Sequence, residues 1–204
     1  DNKSLINDLK ELFSGTVTAI VEALDAKDSF TLGRSRRVTY YAVKIARSLH
    51  LNDLTVSKIE LAGLLHDIGM IGVSDDILMK VEKLTEEEYN EIKKHVHHSV
   101  KILDDIKQLN DVVEIIKYHH EHFDGNGYPY GKKGEDIPLG SRIIAVADAF
   151  DSMITPKIYR QYILPEEALN HIKSLAGKQF DPIVVESFEQ IMPTAVRELE
   201  SAQI

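Results

Sequence analysis

Apolar residues along this chain return every three or four positions, the period of a helix with one buried face. Ile6, Leu9, Phe13, Val17, Ile20 and Leu24 keep that spacing and predict an amphipathic helix over residues 4–26, broken by Lys27-Asp28-Ser29. Val38, Ala42, Ile45, Ala46 and Leu49 predict a second helix over 35–50. A third is expected over 55–66, capped by Thr55 and ended by Gly69 and Gly72. Thr85 followed three residues on by Glu88 is a capping box, opening a helix that carries Tyr89, Ile92 and His95. Further helices are read from Asp111 to His119, over 141–153, from Pro165 through Ile172, and onward from Asp181-Pro182. No segment alternates well enough to predict a strand. The expected fold is all-α.

One stretch breaks the helical pattern. Residues 124–140, DGNGYPYGKKGEDIPLG, are too rich in glycine and proline for regular helix. A loop of that length inside a compact domain is an expected place for function.

Composition narrows the chemistry. With 204 residues, 43% hydrophobic and 28% charged, the chain can bury the core of one domain. No apolar run is long enough for a transmembrane helix and no signal peptide is visible, so a cytoplasmic protein is expected. The chain opens on Asp1 and not on Met, which raises the expectation of a segment whose upstream sensor domain is missing. Basic residues number 24 against 33 acidic, a net charge of −9 with the signs interspersed. That balance argues against DNA or RNA as ligand, since a nucleic-acid grip needs a basic face.

Nine histidines stand against no cysteine. Disulfides, thiolate-held metals and a cysteine nucleophile are excluded, and any metal site must be built from imidazole and carboxylate. His66, Asp67, His95, His119, His120 and Asp148 fall at the ends of predicted helices or within them. They suit in type and number a two-metal centre of Fe, Mn, Zn or a similar ion. Leu61, Leu64, Leu65 and Ile68 flank His66-Asp67 with apolar positions, where a carboxylate without a partner cation is costly. His50, His97, His98, His122 and His171 are read as ordinary surface or core residues.

Three segments now form a recognisable set: HDIGMIGVSDDIL from His66, HHEHFDGNGYP from His119, and AVADAFDSM around Asp148. Together they resemble the HD-GYP family of HD-domain phosphohydrolases, in order and spacing, over roughly residues 28–190. The resemblance implies an all-helical HD-domain bundle holding two divalent metal ions, Fe, Mn, Zn or Ni. It places their ligands on His66, Asp67, His95, His119, His120 and Asp148, with Asp67 as the bridging, catalytic carboxylate. It puts the signature on Gly127, Tyr128 and Pro129, with substrate contacts at Gly127, Tyr128, Lys157 and Arg160. The activity it implies is hydrolysis of cyclic di-GMP to linear pGpG or GMP, with a GGDEF-type protein as a partner. The domain boundaries then read as a linking or dimerising helix over 1–27, which would join two copies as a homodimer, an HD-GYP domain over 28–192, and a C-terminal tail over 193–204.

Three positions depart from the family pattern. Arg34 stands where a histidine ligand is usual, Phe30 where three-metal members carry a carboxylate, and Met70 where a lysine would face the scissile phosphate. An arginine stays protonated and cannot ligate a metal. Three readings stay open on the sequence: a cyclic di-GMP phosphodiesterase of reduced activity, a degenerate member that binds nucleotide or a partner without hydrolysis, and an HD phosphohydrolase acting on another phosphoester.

Overall fold

The computed structural model describes residues 2–27, 33–156 and 163–202. Ten α-helices are formed among them: α1 (Asn2–Lys27), α2 (Arg34–Ser48), α3 (Asp53–Leu65), α4 (Asp75–Leu78), α5 (Glu86–Lys93), α6 (His95–Leu103), α7 (Asn110–Lys117), α8 (Leu139–Ile154), α9 (Pro165–Ser174) and α10 (Pro182–Ala202). A 3-10 turn over Ile68–Gly72 follows α3, and shorter ones cover Lys107–Leu109 and Gly134–Asp136. No strand is found among the described residues, only an isolated bridge between Ala176 and Phe180. The all-α expectation holds.

Helix α2 sits at the centre, packed on α3, α8 and α10. Its apolar positions Val38, Tyr41, Ala42, Ile45 and Ala46 are buried and meet the inward faces of α8 and α10. Tyr41, Phe150 and Phe188, one from each of these helices, contact edge-to-face at 5.1 and 4.8 Å along the chain Tyr41–Phe150–Phe188, the favoured geometry for ring quadrupoles. Helix α7 meets α8 where Gly140 leaves room for Ile115 and where Ser141 Oγ donates to Ile115 O at 2.6 Å. These contacts bring the start of α2, the end of α3, the end of α7 and the middle of α8 to one place.

Several local expectations are corrected. Asn52, and not Thr55, caps α3: its side chain accepts from Thr55 N at 2.9 Å. The Thr85–Glu88 capping box forms as read, but α5 ends at Lys93 and His95 opens a new helix, α6. Val17 and Val21 of α1 are buried in the main core. Helix α10 runs unbroken through Pro193 to Ala202, with Ala195 and Leu199 buried. Toward its start α1 leaves Leu5, Ile6, Leu9, Leu12 and Phe13 exposed, and Ile20 further on. No described helix is long and apolar enough to cross a membrane.

Candidate metal centre

His66 follows the last turn of α3 and Asp67 leads into the 3-10 turn; His95 opens α6; His119 and His120 follow α7; Asp148 lies in the middle of α8. The structure brings all six together. Their ligand atoms fall into two sets, each able to hold an ion: Asp67, His95, His119 and His120 in one, and His66, Asp67 and Asp148 in the other. Asp67 belongs to both. Its Oδ1 lies 3.4 Å from His95 Nε2 and its Oδ2 3.1 Å from His66 Nε2, so one carboxylate turns an oxygen toward each set.

The imidazoles are aimed by the backbone. His66 Nδ1 donates to Gly63 O at 2.7 Å, His95 Nδ1 to Ile92 O at 2.7 Å, and His119 Nδ1 to Ile116 O at 2.6 Å. In each case the carbonyl lies three residues back, and since it can only accept, a proton sits on Nδ1 and Nε2 is the ring atom that faces the cluster. Those three Nε2 atoms are buried without a hydrogen-bond partner. A buried polar atom left unpaired costs about 1–3 kcal/mol, and here three of them converge on carboxylates. A divalent cation satisfies such a donor set, and an Nδ1–H held by a carbonyl is the usual support of a metal-ligating histidine. The residues fit a metal ion.

Charge reinforces this. Burial and the neighbouring imidazoles His66 and His95 push His119 down to about 3, and burial beside His119 and His95 holds His120 well below the usual histidine range, so both are neutral, ligating forms. Burial opposes the charged form of His66, but Asp67 and Asp148 outweigh it and raise this imidazole to about 10 when no metal is bound. Asp67 and Asp148 lie below the usual carboxylate range because His66 and Arg34 overcome the cost of burying them.

Ser99 ties the two halves together. Its Oγ accepts from Gly69 N at 2.8 Å and donates to His66 O at 3.1 Å, linking α6 to the turn beyond Asp67. Ser99→Ala leaves two buried backbone groups unpaired, and thermal unfolding should show a loss of about 1–3 kcal/mol. An unchanged midpoint would mean that the link carries no weight.

The Gly-rich segment covers one side of the cluster. Tyr128 stacks on His120 with ring centroids 4.8 Å apart, and its N donates to His120 O at 3.1 Å. Gly127 runs so close to the backbone of 120–122 that a Cβ would meet His122 N at 2.2 Å. Burial, then Tyr89 and the two site carboxylates, raise the Tyr128 hydroxyl above its usual range and keep it a donor. Met70 is half-buried in the 3-10 turn after Asp67. Lys157, Arg160 and Phe30 lie outside the described residues.

Arg34, which stands where a histidine ligand is usual, reaches the cluster: its Nη2 is 2.5 Å from Asp148 Oδ1, its Nε 3.6 Å from Asp67 Oδ2 and its Nη1 3.8 Å from Asp151 Oδ2. Three further residues, Arg37, Asp151 and Glu121, carried no sequence expectation. Arg37 meets the fully buried Asp151 through two hydrogen bonds, of 2.7 and 3.1 Å. A signal for this was present, since Arg34/Arg37 and Asp148/Asp151 are i,i+3 pairs that each share one helix face. Glu121 is the third of these. It is buried and its Oε1 accepts from Tyr130 N at 2.7 Å and Gly131 N at 3.1 Å, fastening the loop that carries Tyr128. Glu121→Ala should therefore loosen the loop that carries Tyr128 while metal content stays unchanged. Limited proteolysis within 124–140 beside metal analysis checks this, and an unchanged cleavage rate would contradict it.

Fold and cluster define a helical protein with a histidine–aspartate site of the metal-binding kind. A family model described as HD domain matches residues 18–184, and the chain belongs to that family. The relatives bear out the resemblance to its HD-GYP branch. A cyclic di-GMP phosphodiesterase of Thermotoga maritima is 40% identical over 166 residues, covering 79% of this chain and 45% of the relative. A cyclic di-GMP phosphodiesterase response regulator of Xanthomonas campestris is 34% identical over 186 residues, covering 89% of this chain and 49% of the relative. The chain thus spans about half the length of these relatives. A crystal structure of a cyclic GMP-AMP specific phosphodiesterase from Vibrio cholerae shares the fold with a TM-score of 0.69 at 24% identity, over 87% of this chain and 48% of that one.

Proposed function

We propose that this chain is a metal-dependent phosphodiesterase that opens a cyclic dinucleotide, cyclic di-GMP in the first instance, to linear pGpG or GMP in the cytoplasm. The observation that carries the reading is the pair of donor sets sharing Asp67, with three buried Nε2 atoms turned inward and without a hydrogen-bond partner. Relatives that bear the same domain are named for this activity.

His95, His119, His120 and Asp67 would hold one divalent ion of the Fe, Mn, Zn or Ni kind, and His66, Asp67 and Asp148 a second. Bound there, the ions supply Lewis-acid charge for the scissile phosphate and lower the pKa of water to a range where it can attack at neutral pH. The chain's own residues do the positioning. The carbonyls of Gly63, Ile92 and Ile116 fix three ring orientations, so the donors are set in place before substrate arrives. Asp67 sets the relation between the two halves through its two oxygens. Gly127 lets the loop lie against 120–122, and Tyr128 presents a ring and a hydroxyl donor at the rim, with Lys93 Nζ 5.5 Å from that ring. We assign phosphate contacts to Lys157 and Arg160 on the family pattern. The exposed stripe from Leu5 to Phe13 supports a homodimer through α1.

Metal-loaded protein incubated with cyclic di-GMP and, separately, with 3'3'-cGAMP should yield linear product that chelation abolishes. Absence of product with Mn, Fe, Ni and Zn alike would refute the reading, and turnover of other phosphoesters alone would move the chain to a different substrate class. The Arg34–Asp148 ion pair favours a second reading, nucleotide binding without hydrolysis. Turnover that disappears in Asp67→Ala would exclude it.

A further inference from the structure

The two donor sets differ in more than composition: a permanent cation of the protein reaches into the set of His66, Asp67 and Asp148. Arg34 places Nη2 2.5 Å from Asp148 Oδ1 and Nε 3.6 Å from Asp67 Oδ2. Those are the same two oxygens that lie 3.5 and 3.1 Å from His66 Nε2. Both carboxylate donors of the His66 set are therefore already turned to a guanidinium. The opposite oxygen, Asp67 Oδ1, faces His95 Nε2, and among the described residues no arginine or lysine forms an ion pair with it.

The guanidinium is well anchored. It is 14% exposed, opens α2 in the packed centre of the bundle, and has a third carboxylate, Asp151, within 3.8 Å. Arg37 fixes Asp151 from the other side, so that carboxylate cannot follow Arg34 or draw it elsewhere. Arg34 cannot shed its proton to make room. A divalent ion in the His66 set would share two oxygens with a neighbouring positive charge, a repulsion that the partly buried site screens poorly.

We infer that Arg34 is a built-in cation that competes for the His66–Asp67–Asp148 set and makes metal loading stepwise. The first ion enters the Asp67–His95–His119–His120 set. The second enters only as the guanidinium leaves Asp148, so the fully loaded site forms in proportion to the metal supply. This rests on the metal reading given above and adds to it a control on occupancy that the chain carries within itself.

Calorimetric titration of the metal-free chain with Mn²⁺, with electron paramagnetic resonance to detect a coupled Mn pair, tests it. The wild type should bind one Mn²⁺ tightly and a second at least about tenfold more weakly, a coupling of ordinary size for linked sites. Arg34→Ala and Arg34→Gln should each tighten the second step by about tenfold or more and leave the first within about threefold, with the coupled-pair signal appearing at lower Mn²⁺. Two steps of matched affinity in the wild type would overturn the inference while leaving the metal reading intact, and this result needs no variant to fold. A second step unchanged in both variants, each shown folded by thermal unfolding, would overturn it too. No Mn²⁺ bound by any of the three proteins would overturn the metal reading itself.

Discussion

Asp67→Asn will strip the cluster of metal and lower dinucleotide hydrolysis by more than about 10³, beyond the 10²–10³ that loss of one preorganised donor costs elsewhere. The reason lies in the double use of one side chain. Asp67 Oδ1 serves the His95 side and Oδ2 the His66 side, so a single amide substitution removes an anionic donor from both sets at once. The change is nearly isosteric and leaves the Nδ1–carbonyl bonds of His66, His95 and His119 in place, so the bundle should still fold, with a lower metal-free midpoint because His66 and Arg34 lose a buried counter-charge. Metal content per chain and initial rate, measured on the same preparation, decide the matter. A variant that keeps both its metal and its rate would remove Asp67 from the centre of the site.

Gly69→Ala is expected to have the largest effect on the fold. A Cβ at Gly69 would lie 1.9 Å from His95 O and 2.5 Å from Ser99 N, both backbone atoms of α6. No rotamer change relieves a clash with backbone, so α6 must move off the 3-10 turn. Overpacking of this kind costs about 1–3 kcal/mol when side chains can yield, and about 3 kcal/mol or more is expected here. The same close approach sets the spacing of His95 from Asp67, so the variant should lose metal affinity along with stability. Urea unfolding and metal analysis of whatever folds report both losses. A wild-type urea midpoint with full metal would show that the approach has slack.

What the sequence made legible follows from how local each signal is. The helices of the core were readable because apolar spacing is a property of the chain itself, as in α2 with Val38, Ala42, Ile45 and Ala46. The six candidate ligands were readable because residue types at helix ends carry their chemistry with them, and the structure places their donor atoms in one cluster. Helix α10 continues through Pro193, where Arg197 Nε donates to the Pro193 carbonyl at 3.0 Å. Arg34 was legible as a missing ligand and as a charge, but not its partners. Those, Asp148 and Asp151, reach it only when α2 packs on α8, and no local pattern encodes which arginine meets which carboxylate across 114 residues. Glu121 was hidden for a related reason: its partners are backbone N–H groups of the loop, and their direction is set by the folded chain.

The central claim is that the buried cluster around Asp67 is a metal centre. Anomalous diffraction from crystals of the protein grown with Mn²⁺ or, without oxygen, with Fe²⁺ tests it most directly. The account predicts a strong anomalous peak among Asp67, His95, His119 and His120, with a second beside His66 and Asp148 only at high metal. Crystals of folded protein soaked to saturation with no anomalous peak within coordinating distance of Asp67 would contradict it.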